Sequence, residues 1–520
     1  MNKKLTIVLV LWFCVISGGA LADSDFLKQF KNDYSTLDLD LLNNDIETTT
    51  IKDFVYQKDV ATFTFKEGTL YLLRYINNRP TTAIFMGQGH ADIEIPLSAE
   101  RKGLLKVSGD SLVNADFELI FMRLGDDFDL KVREKFDFTV TQLDWKNFTI
   151  TKESQGEFFF KPNIRHPNDN YFQLLRSIYE RSDDGYFWVD FNRYVFSFDP
   201  NRPEEVEVAY EFQGGDFVAT TASQFQRREK NITDNSQLSN IQYCATAISK
   251  HGNVVMGGND GRRIESCEGI LEFEVNDDSL RFLSTFLQYN LELDSILLDG
   301  EQVDFIRRKT FKFIGVILPK YFYKGDVVKL SFWYQGTNFD HFMPYLENPA
   351  PCQYSFNFIV PKGCNFYMPG MSEMTEFNNK QDQFTVSSPL LFNNFFFHVY
   401  NGGVEDTVGV ISDVGLTLNF LPVKHIKKKT PCFIAHEKYR QSVTDAFNYY
   451  ATQFGPPPNT FVEYVIPEGF QSMPGLIKVP QVACVSEGGW EAFGGIDLVA
   501  GNSVARQWMG STLRPSTDRE

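Results

Sequence analysis

The chain has 520 residues, enough for about two to four domains, and its 43% hydrophobic and 22% charged residues are typical of a globular protein. A formal net charge of -17 argues against nucleic acid or anionic lipid as a partner, since both repel an acidic surface. The 50 Phe residues indicate thick, β-rich cores rather than helical bundles.

Residues 1–22 have the pattern of a secretory signal. Two lysines precede an apolar run over residues 5–16, and Ala20-Leu21-Ala22 has the small-x-small form of a cleavage site. We therefore expect an exported protein, periplasmic or extracellular, whose mature chain begins near Asp23. No later segment has the apolar length of a membrane-spanning helix, so no span is expected after the signal is removed.

Six of the seven cysteines follow the signal, and an even number in an exported protein favours disulfides. Pairing between sequence neighbours is the simplest of the fifteen possible connectivities. Buried thiols are the alternative. The predicted pairs are Cys244 with Cys267, Cys352 with Cys364, and Cys432 with Cys484.

Residues 23–240 show short alternating runs, which predict a strand-rich N-terminal domain. The apolar residues on either side of 66–69 predict a β-hairpin with Gly68 in its turn. His90 follows a glycine-rich stretch without a second histidine nearby, so we expect a surface residue rather than a metal ligand. The polar residues 227–240 are typical of a connection between domains.

Residues 241–425 predict a second β-rich domain, an antiparallel sandwich-like one. Apolar and polar residues alternate in several short runs, and turns are expected at Asp299-Gly300 and at residues 324–326. The runs that carry the alternation are 271–275, 291–293, 311–313 and 356–360.

From Pro431 the pattern becomes helical, which predicts a C-terminal α/β part over 426–520. Tyr439, Val443, Phe447 and Tyr450 recur at helical spacing, and the helix is expected to end near Phe454-Gly455. A strand is expected over 461–467. Overall, the predicted class is mostly β, with the α/β part at the C-terminus.

Residues 502–510 read Asn-Ser-Val-Ala-Arg-Gln-Trp-Met-Gly. Ala505 followed by residues 507–510 resembles the end of the His-Glu-x-x-His helix in the membrane alanyl aminopeptidase family of zinc peptidases. The alternative is a plain amphipathic helix with Val504 and Trp508 in a core. Upstream, the helix that ends in Phe-Gly-Pro-Pro and the strand after it resemble the family's elements ahead of that helix. The second β-domain and the strand-rich region before it resemble the family's β-domain and its bacterial extension.

The resemblance implies which residues replace the family's functional groups. The zinc-site positions are occupied by Asn502, Ser503 and Arg506, where the family has His, Glu and His. The family's Gly-Ala-Met-Glu-Asn-Pro-Gly loop, whose Glu holds the substrate's amino group, corresponds to residues 469–475. There the frame residues Gly469, Pro474 and Gly475 are present, and Ser472 replaces the Glu.

These replacements predict that no catalytic residue and no metal site remain. Asn is a poor zinc ligand, Ser is not a general base near neutral pH, and Arg is a permanent cation that repels Zn²⁺. The family's third ligand would fall beyond Glu520, so we expect a truncated thermolysin-like catalytic domain over 426–520.

The predicted function is therefore a non-catalytic peptide-binding or scaffold protein without a cofactor. Arg506 and Asn502 would lie one helical turn apart, where they could bind peptide or protein carboxylates. The alternative is an active zinc metallo-aminopeptidase that acts on peptide N-termini and uses other zinc ligands.

Overall fold

A computed structural model describes most of the first 400 residues and separate segments thereafter. The described residues are 26–37, 46–94, 113–141, 170–180, 185–200, 206–211, 217–223, 244–258, 263–307, 312–337, 342–346, 352–367, 371–392, 398–401, 407–411, 416–421, 431–455, 461–465, 476–478, 501 and 504–505. The predicted signal, the predicted connection at 227–240 and Cys484 lie outside them.

Strands dominate the described chain, and the predicted mostly-β class is confirmed. The chain divides into two compact units. One unit contains Met1–Cys244, Leu280–Leu283 and Asp304–Tyr321, and the other contains Ala245–Ser279, Ser284–Val303 and Phe322–Glu520. The domain boundaries inferred from the sequence stay predictions.

The first unit is built on a nine-stranded sheet of order β5-β1-β2-β3-β4-β6-β7-β8-β9. Its helices are α1 (residues 26–37), α2 (Phe128–Arg133) and α3 (Asn170–Glu180). Its strands are β1 (Ile46–Lys58), β2 (Ala61–Ile76), β3 (Arg79–Ile93), β4 (Val113–Leu124), β5 (Thr139–Thr141), β6 (Phe187–Phe191), β7 (Tyr194–Phe198), β8 (Val206–Glu211) and β9 (Phe217–Ser223).

Phenylalanine rings fill the core against this sheet, as the composition indicated. Phe63 lies edge-to-face on Phe191 at 5.8 Å, and Phe65 lies edge-to-face on Phe85 at 4.9 Å between ring centroids. All four side chains are fully buried. Edge-to-face pairs bring the positive ring edge to the negative face, which stabilises them beyond the area they bury.

The hairpin predicted around Gly68 is wrong, because β2 runs unbroken from Ala61 to Ile76. Gly68 instead faces Gly87 of β3 across the sheet, next to a bulge at Phe65 and Glu67. A Cβ on Gly68 would lie 2.4 Å from the carbonyl oxygen of Met86. The glycine therefore permits a close approach of two backbones within a strand, which is the other common use of glycine in sheets.

A buried carboxylate, that of Asp126, precedes α2. One oxygen accepts a hydrogen bond from the Tyr56 hydroxyl at 2.5 Å and lies 3.2 Å from the Lys58 ammonium. The other accepts the backbone N–H of Phe128 at 3.2 Å. Burial raises the pKa of Asp126, and Lys58 partly offsets that effect. Three donors thus satisfy a carboxylate that has no exposed surface.

All strands of a ten-stranded sheet, of order β12-β15-β14-β13-β16-β11-β10-β17-β20-β19, come from the chain after residue 244. Smaller sheets pair β18 with β21 and join β22-β23-β24-β25. The strands of this part of the chain are β10 (Ala245–Gly257), β11 (Arg263–Val275), β12 (Ser279–Phe286), β13 (Leu291–Leu298), β14 (Glu301–Ile306), β15 (Phe313–Tyr323), β16 (Val327–Gly336), β17 (Cys352–Pro361), β18 (Cys364–Tyr367), β19 (Met371–Asn378), β20 (Gln381–Phe392), β21 (His398–Asn401), β22 (Thr407–Ile411), β23 (Leu416–Leu421), β24 (Phe461–Val465) and β25 (Leu476–Lys478).

The predicted turns of this region are confirmed, and so is the alternation over 271–275 and 356–360. Phe311 lies outside the described residues, and β15 is buried without alternation from Phe313 to Leu318. In β11, Leu271, Phe273 and Val275 are buried while the residues between them are more exposed. Asp299 and Gly300 both have positive φ in the turn between β13 and β14, and Gly325 has φ +88° in the turn between β15 and β16. Apart from the parallel pair β10–β17, the recorded pairings of the large sheet are antiparallel.

Two of the predicted disulfides are excluded by the register of the strands. Cys267 lies opposite Val254, whereas Cys244 lies just before Ala245, at the other end of β10. Cys352 begins β17 and Cys364 follows its far end. At about 3.4 Å per residue each pair is separated by about 30 Å, far beyond disulfide reach. The four cysteines form no disulfide with one another, and the thiol of Cys267 contacts the Tyr334 hydroxyl.

The C-terminal helix α4 (Pro431–Phe454) is present where the periodicity predicted it. Val443 and Phe447 are fully buried, which places the predicted apolar stripe on the packed side of the helix. Among the described residues, no helix combines the length and apolar character needed to cross a membrane.

We expect Lys58→Met to destabilise the protein by about 3 to 5 kcal/mol, because it leaves the buried Asp126 carboxylate without its cation. Lys66→Met is the matched control on the same sheet, since its pair with Asp116 is exposed and such pairs contribute about 0 to 1 kcal/mol. Urea unfolding of both variants measures the difference. Equal effects would contradict the assigned role of Lys58.

Peptide mapping of the protein without reduction should recover no peptide linked through Cys244 and Cys267, or through Cys352 and Cys364. The reason is their separation along β10–β11 and β17. Alkylation in denaturant, followed by mass spectrometry, makes the measurement, and a reduced and alkylated sample is the control. Recovery of either linked peptide would overturn the strand register described above.

Candidate functional site

The C-terminal elements form the frame of the site predicted from the sequence. Helix α4 ends at Gly455, which has φ +79° and donates its N–H to the carbonyl of Ala451 at 2.9 Å. Glycine is favoured there because the left-handed conformation costs it little. The chain then forms β24, which pairs parallel with both β23 and β25. Helix, glycine and strand therefore follow in the predicted order.

The residues predicted to form the site are outside the described part of the chain. This holds for the degenerate zinc positions Asn502, Ser503 and Arg506. It holds equally for the loop residues Gly469, Ser472, Pro474 and Gly475. Around the zinc positions the structure describes Gly501, Val504 and Ala505, which are helical, with Val504 fully buried and Ala505 half-buried.

A cavity of about 630 Å³ lies at one end of the ten-stranded sheet. It is formed where β10 and β17 end, where β11 begins, and at the turn from β19 to β20. Its volume is within the usual range for small-molecule sites, about 300 to 1,000 Å³. The lining residues are Met256, Gly257, Gly258, Glu265, Pro361, Asn378, Asn379, Lys380 and Gln381.

Glu265 carries the negative charge of the cavity. Its carboxylate lies against the Cα of Gly257, so closely that a Cβ on Gly257 would be 1.9 Å from Oε1. Gly258 turns the chain away with φ +82°. Glu265 makes no hydrogen bond or ion pair with any described residue. Its oxygens are therefore able to accept from a ligand.

The turn between β19 and β20 is held by its own hydrogen bonds. Asn378 Oδ1 accepts the N–H of Lys380 at 2.8 Å, and Asn378 Nδ2 donates to Gln381 Oε1 at 2.9 Å. The N–H of Lys362 donates to the carbonyl of Lys380 at 2.7 Å. Lys362 also pairs with Glu376 at 2.6 Å, and its pKa is raised by that hydrogen bond. Among the lining residues this leaves Lys380 as the cation, and its ammonium contacts no acid of the described chain.

A serine, a histidine and a glutamate meet on the half-exposed face of the same sheet. Ser249 Oγ donates to Glu272 Oε2 at 2.7 Å, and His251 Nε2 lies 2.9 Å from Ser249 Oγ. Because the serine proton is given to Glu272, the histidine must donate to the hydroxyl rather than take its proton. That order is the reverse of an activated nucleophile, and Ser249 is buried. The trio is therefore a structural contact.

His90 lies near the surface of the first unit, as expected from its sequence. Its ring is 22% exposed and contacts Asp116 at 2.8 Å and Asp92 at 3.3 Å. The hydrogen bond with His90, followed by the charge of Lys66, lowers the pKa of the exposed Asp116. Within the described ranges no three His, Cys, Asp or Glu side chains gather as a metal site would require.

Comparisons with known proteins place the sequence close to none of them. No protein-family model matches it, and no curated protein matches it. Its structure is similar to a two-domain M1 zinc metallopeptidase mutant bound to L-tryptophan, with 14% identity over 53% of this chain and 67% of that chain and a TM-score of 0.39.

Two further similar structures are both from Deinococcus radiodurans, and each matches 53% of this chain and 67% of its own at 14% identity. They are an M1 zinc metallopeptidase mutant bound to a Tyr-Ser-Ala substrate and the M1 zinc metallopeptidase itself, with TM-scores of 0.37 and 0.35. TM-scores of this size do not establish a shared fold.

Sequence reasoning missed the cavity. Its lining comes from four separate segments, and only the strand register brings Glu265 beside Gly257. The one available signal was the Gly257-Gly258 pair at the end of a strand, which is typical of a close approach or a sharp turn.

Proposed function

We propose that this chain is an exported, non-catalytic relative of the zinc aminopeptidases that binds peptide or protein carboxylates. The observation that carries the proposal is the replacement of His, Glu and His by Asn502, Ser503 and Arg506 within a motif frame whose tail is kept. The helical Gly501, Val504 and Ala505 support a helix through that frame.

The donor set at these positions does not fit zinc. A zinc site needs several neutral imidazole, thiolate or carboxylate ligands together, and here an amide, a hydroxyl and a guanidinium replace them. In a continuous helix through this frame, positions 502 and 506 would share a face one turn apart. No catalytic step is therefore assigned to this region.

The guanidinium of Arg506 is well suited to binding a carboxylate. Its planar donors bind a carboxylate through two parallel hydrogen bonds, and the amide of Asn502 and the hydroxyl of Ser503 add further donors. The ligand class is a peptide C-terminus or an acidic side chain. The signal-like residues 1–22 support export, and hence a periplasmic or extracellular partner.

Purified mature protein should contain no stoichiometric zinc and should release no amino acid from alanyl or leucyl reporter peptides. The physical reason is the absence of imidazole and of a general base at the motif positions. Elemental analysis and a fluorogenic assay make the measurement, with an intact zinc aminopeptidase assayed in parallel. One zinc per chain, together with activity that a chelator abolishes, would establish the active-enzyme alternative.

Arg506→Ala should weaken the binding of peptides that carry a free C-terminal carboxylate, by about tenfold or more, because a charge-assisted contact is lost. Peptides with an amidated C-terminus should bind the wild type and the variant equally weakly. Lys329→Ala is the control, since Lys329 is an exposed cation on β16. Unchanged binding combined with a lower melting temperature would assign Arg506 to an internal ion pair and favour a scaffold role.

A further inference from the structure

The cavity at the end of the ten-stranded sheet has the charges of a site for a small zwitterion. It offers one carboxylate, Glu265, and one ammonium, Lys380, and neither charge is paired with another among the described residues. We propose that it binds a molecule of amino-acid or dipeptide size, with the ligand's amino group at Glu265 and its carboxylate at Lys380. This site is separate from the Arg506 region, and the proposal goes beyond the function given above.

Gly257 makes room for the Glu265 carboxylate. The carboxylate occupies the space that a side chain at residue 257 would fill, so Gly257 is what allows it to lie on the end of β10. The side chain is exposed, so a ligand ammonium can reach its carboxylate. An ammonium also gains a charge-assisted hydrogen bond there.

The turn between β19 and β20 supplies further lining residues of the cavity. Asn378 uses both ends of its amide inside the turn, accepting from Lys380 and donating to Gln381. Two hydrogen bonds thus hold the turn together from within. The amide oxygen of Gln381 is already engaged, which leaves its Nε2 donor for a ligand carbonyl or carboxylate. Lys362 is neutralised by Glu376, so it does not compete for the ligand's carboxylate.

The mixed charge also decides against other ligand classes. A simple cation would be repelled by Lys380, and a simple anion would be repelled by Glu265. An apolar ligand would gain little from walls that consist largely of glycine, amide and charged side chains. A zwitterion satisfies both charges at once.

The test is calorimetric titration of the full chain with glycylglycine, alongside its N-acetylated and C-amidated forms. Free glycylglycine should bind saturably. Acetylation should weaken binding about tenfold by removing the ammonium, and amidation should do the same by removing the carboxylate. Absence of saturable binding at about 10 mM, or equal binding of all three peptides, would overturn the proposal.

Variants locate the site. Glu265→Gln should reduce the affinity for glycylglycine about tenfold and leave the affinity for the acetylated form unchanged. Lys380→Gln should reduce the affinity for glycylglycine by the same factor and leave the affinity for the amidated form unchanged. Gly257→Ala should displace the Glu265 carboxylate and reproduce the first effect. The controls are Glu274→Gln, exposed at the far end of β11, and Lys329→Gln on β16. Their binding should equal that of the wild type.

The outcomes keep this site distinct from the Arg506 region. Loss of glycylglycine binding in Arg506→Ala, with full binding in Glu265→Gln, would overturn the cavity site and support the proposed carboxylate site. Full glycylglycine binding in Arg506→Ala, with loss of binding in Glu265→Gln, would support the cavity site even if Arg506 binds nothing. Circular dichroism of each variant shows whether it is folded before its affinity is compared.

Discussion

The buried Asp126 carboxylate is the constraint around which the first unit is arranged. A charge without solvent requires donors on every side, and it receives them from Tyr56, Lys58 and the N–H of Phe128. These groups come from the end of β1 and the start of α2, so the contact joins the sheet to the helix at one point. The surrounding rings exclude water, which strengthens these interactions and also makes the loss of any one of them costly.

Close approaches of backbone explain several glycines that have no role in turns. Gly68 and Gly87 bring β2 and β3 together beside a bulge, where a Cβ on either would overlap the opposite chain. Gly257 makes room for the Glu265 carboxylate in the second unit. At Gly68 and Gly87 the missing side chain allows two strands to pack closely. At Gly257 it leaves room for a carboxylate that lines the cavity.

The two candidate binding regions rest on different kinds of support. The proposal for the Arg506 region depends on a resemblance in sequence, in which charged and polar residues occupy positions where the zinc peptidases have metal ligands. The proposal for the cavity depends on contacts within the structure: a carboxylate against a glycine, and a turn held by Asn378. Both proposals assign the recognition of charge on small or extended peptide-like molecules.

The sequence by itself determined what depends on local periodicity and turn chemistry. The strands at 271–275 and 356–360, the turns at Gly300 and Gly325, and the end of α4 at Gly455 follow from alternation, helical spacing and the conformational freedom of glycine. The aromatic composition likewise indicated the Phe-rich core.

Other features depend on the register between strands, which local sequence does not specify. Gly68 has the same local signature as a hairpin turn, and only its pairing with Gly87 shows that the strand continues. Cys244 and Cys267 are near neighbours in sequence, yet the antiparallel register of β10 and β11 separates them. The cavity also depends on register, because its walls come from four separate segments of the chain. No local sequence pattern predicts that these segments lie together.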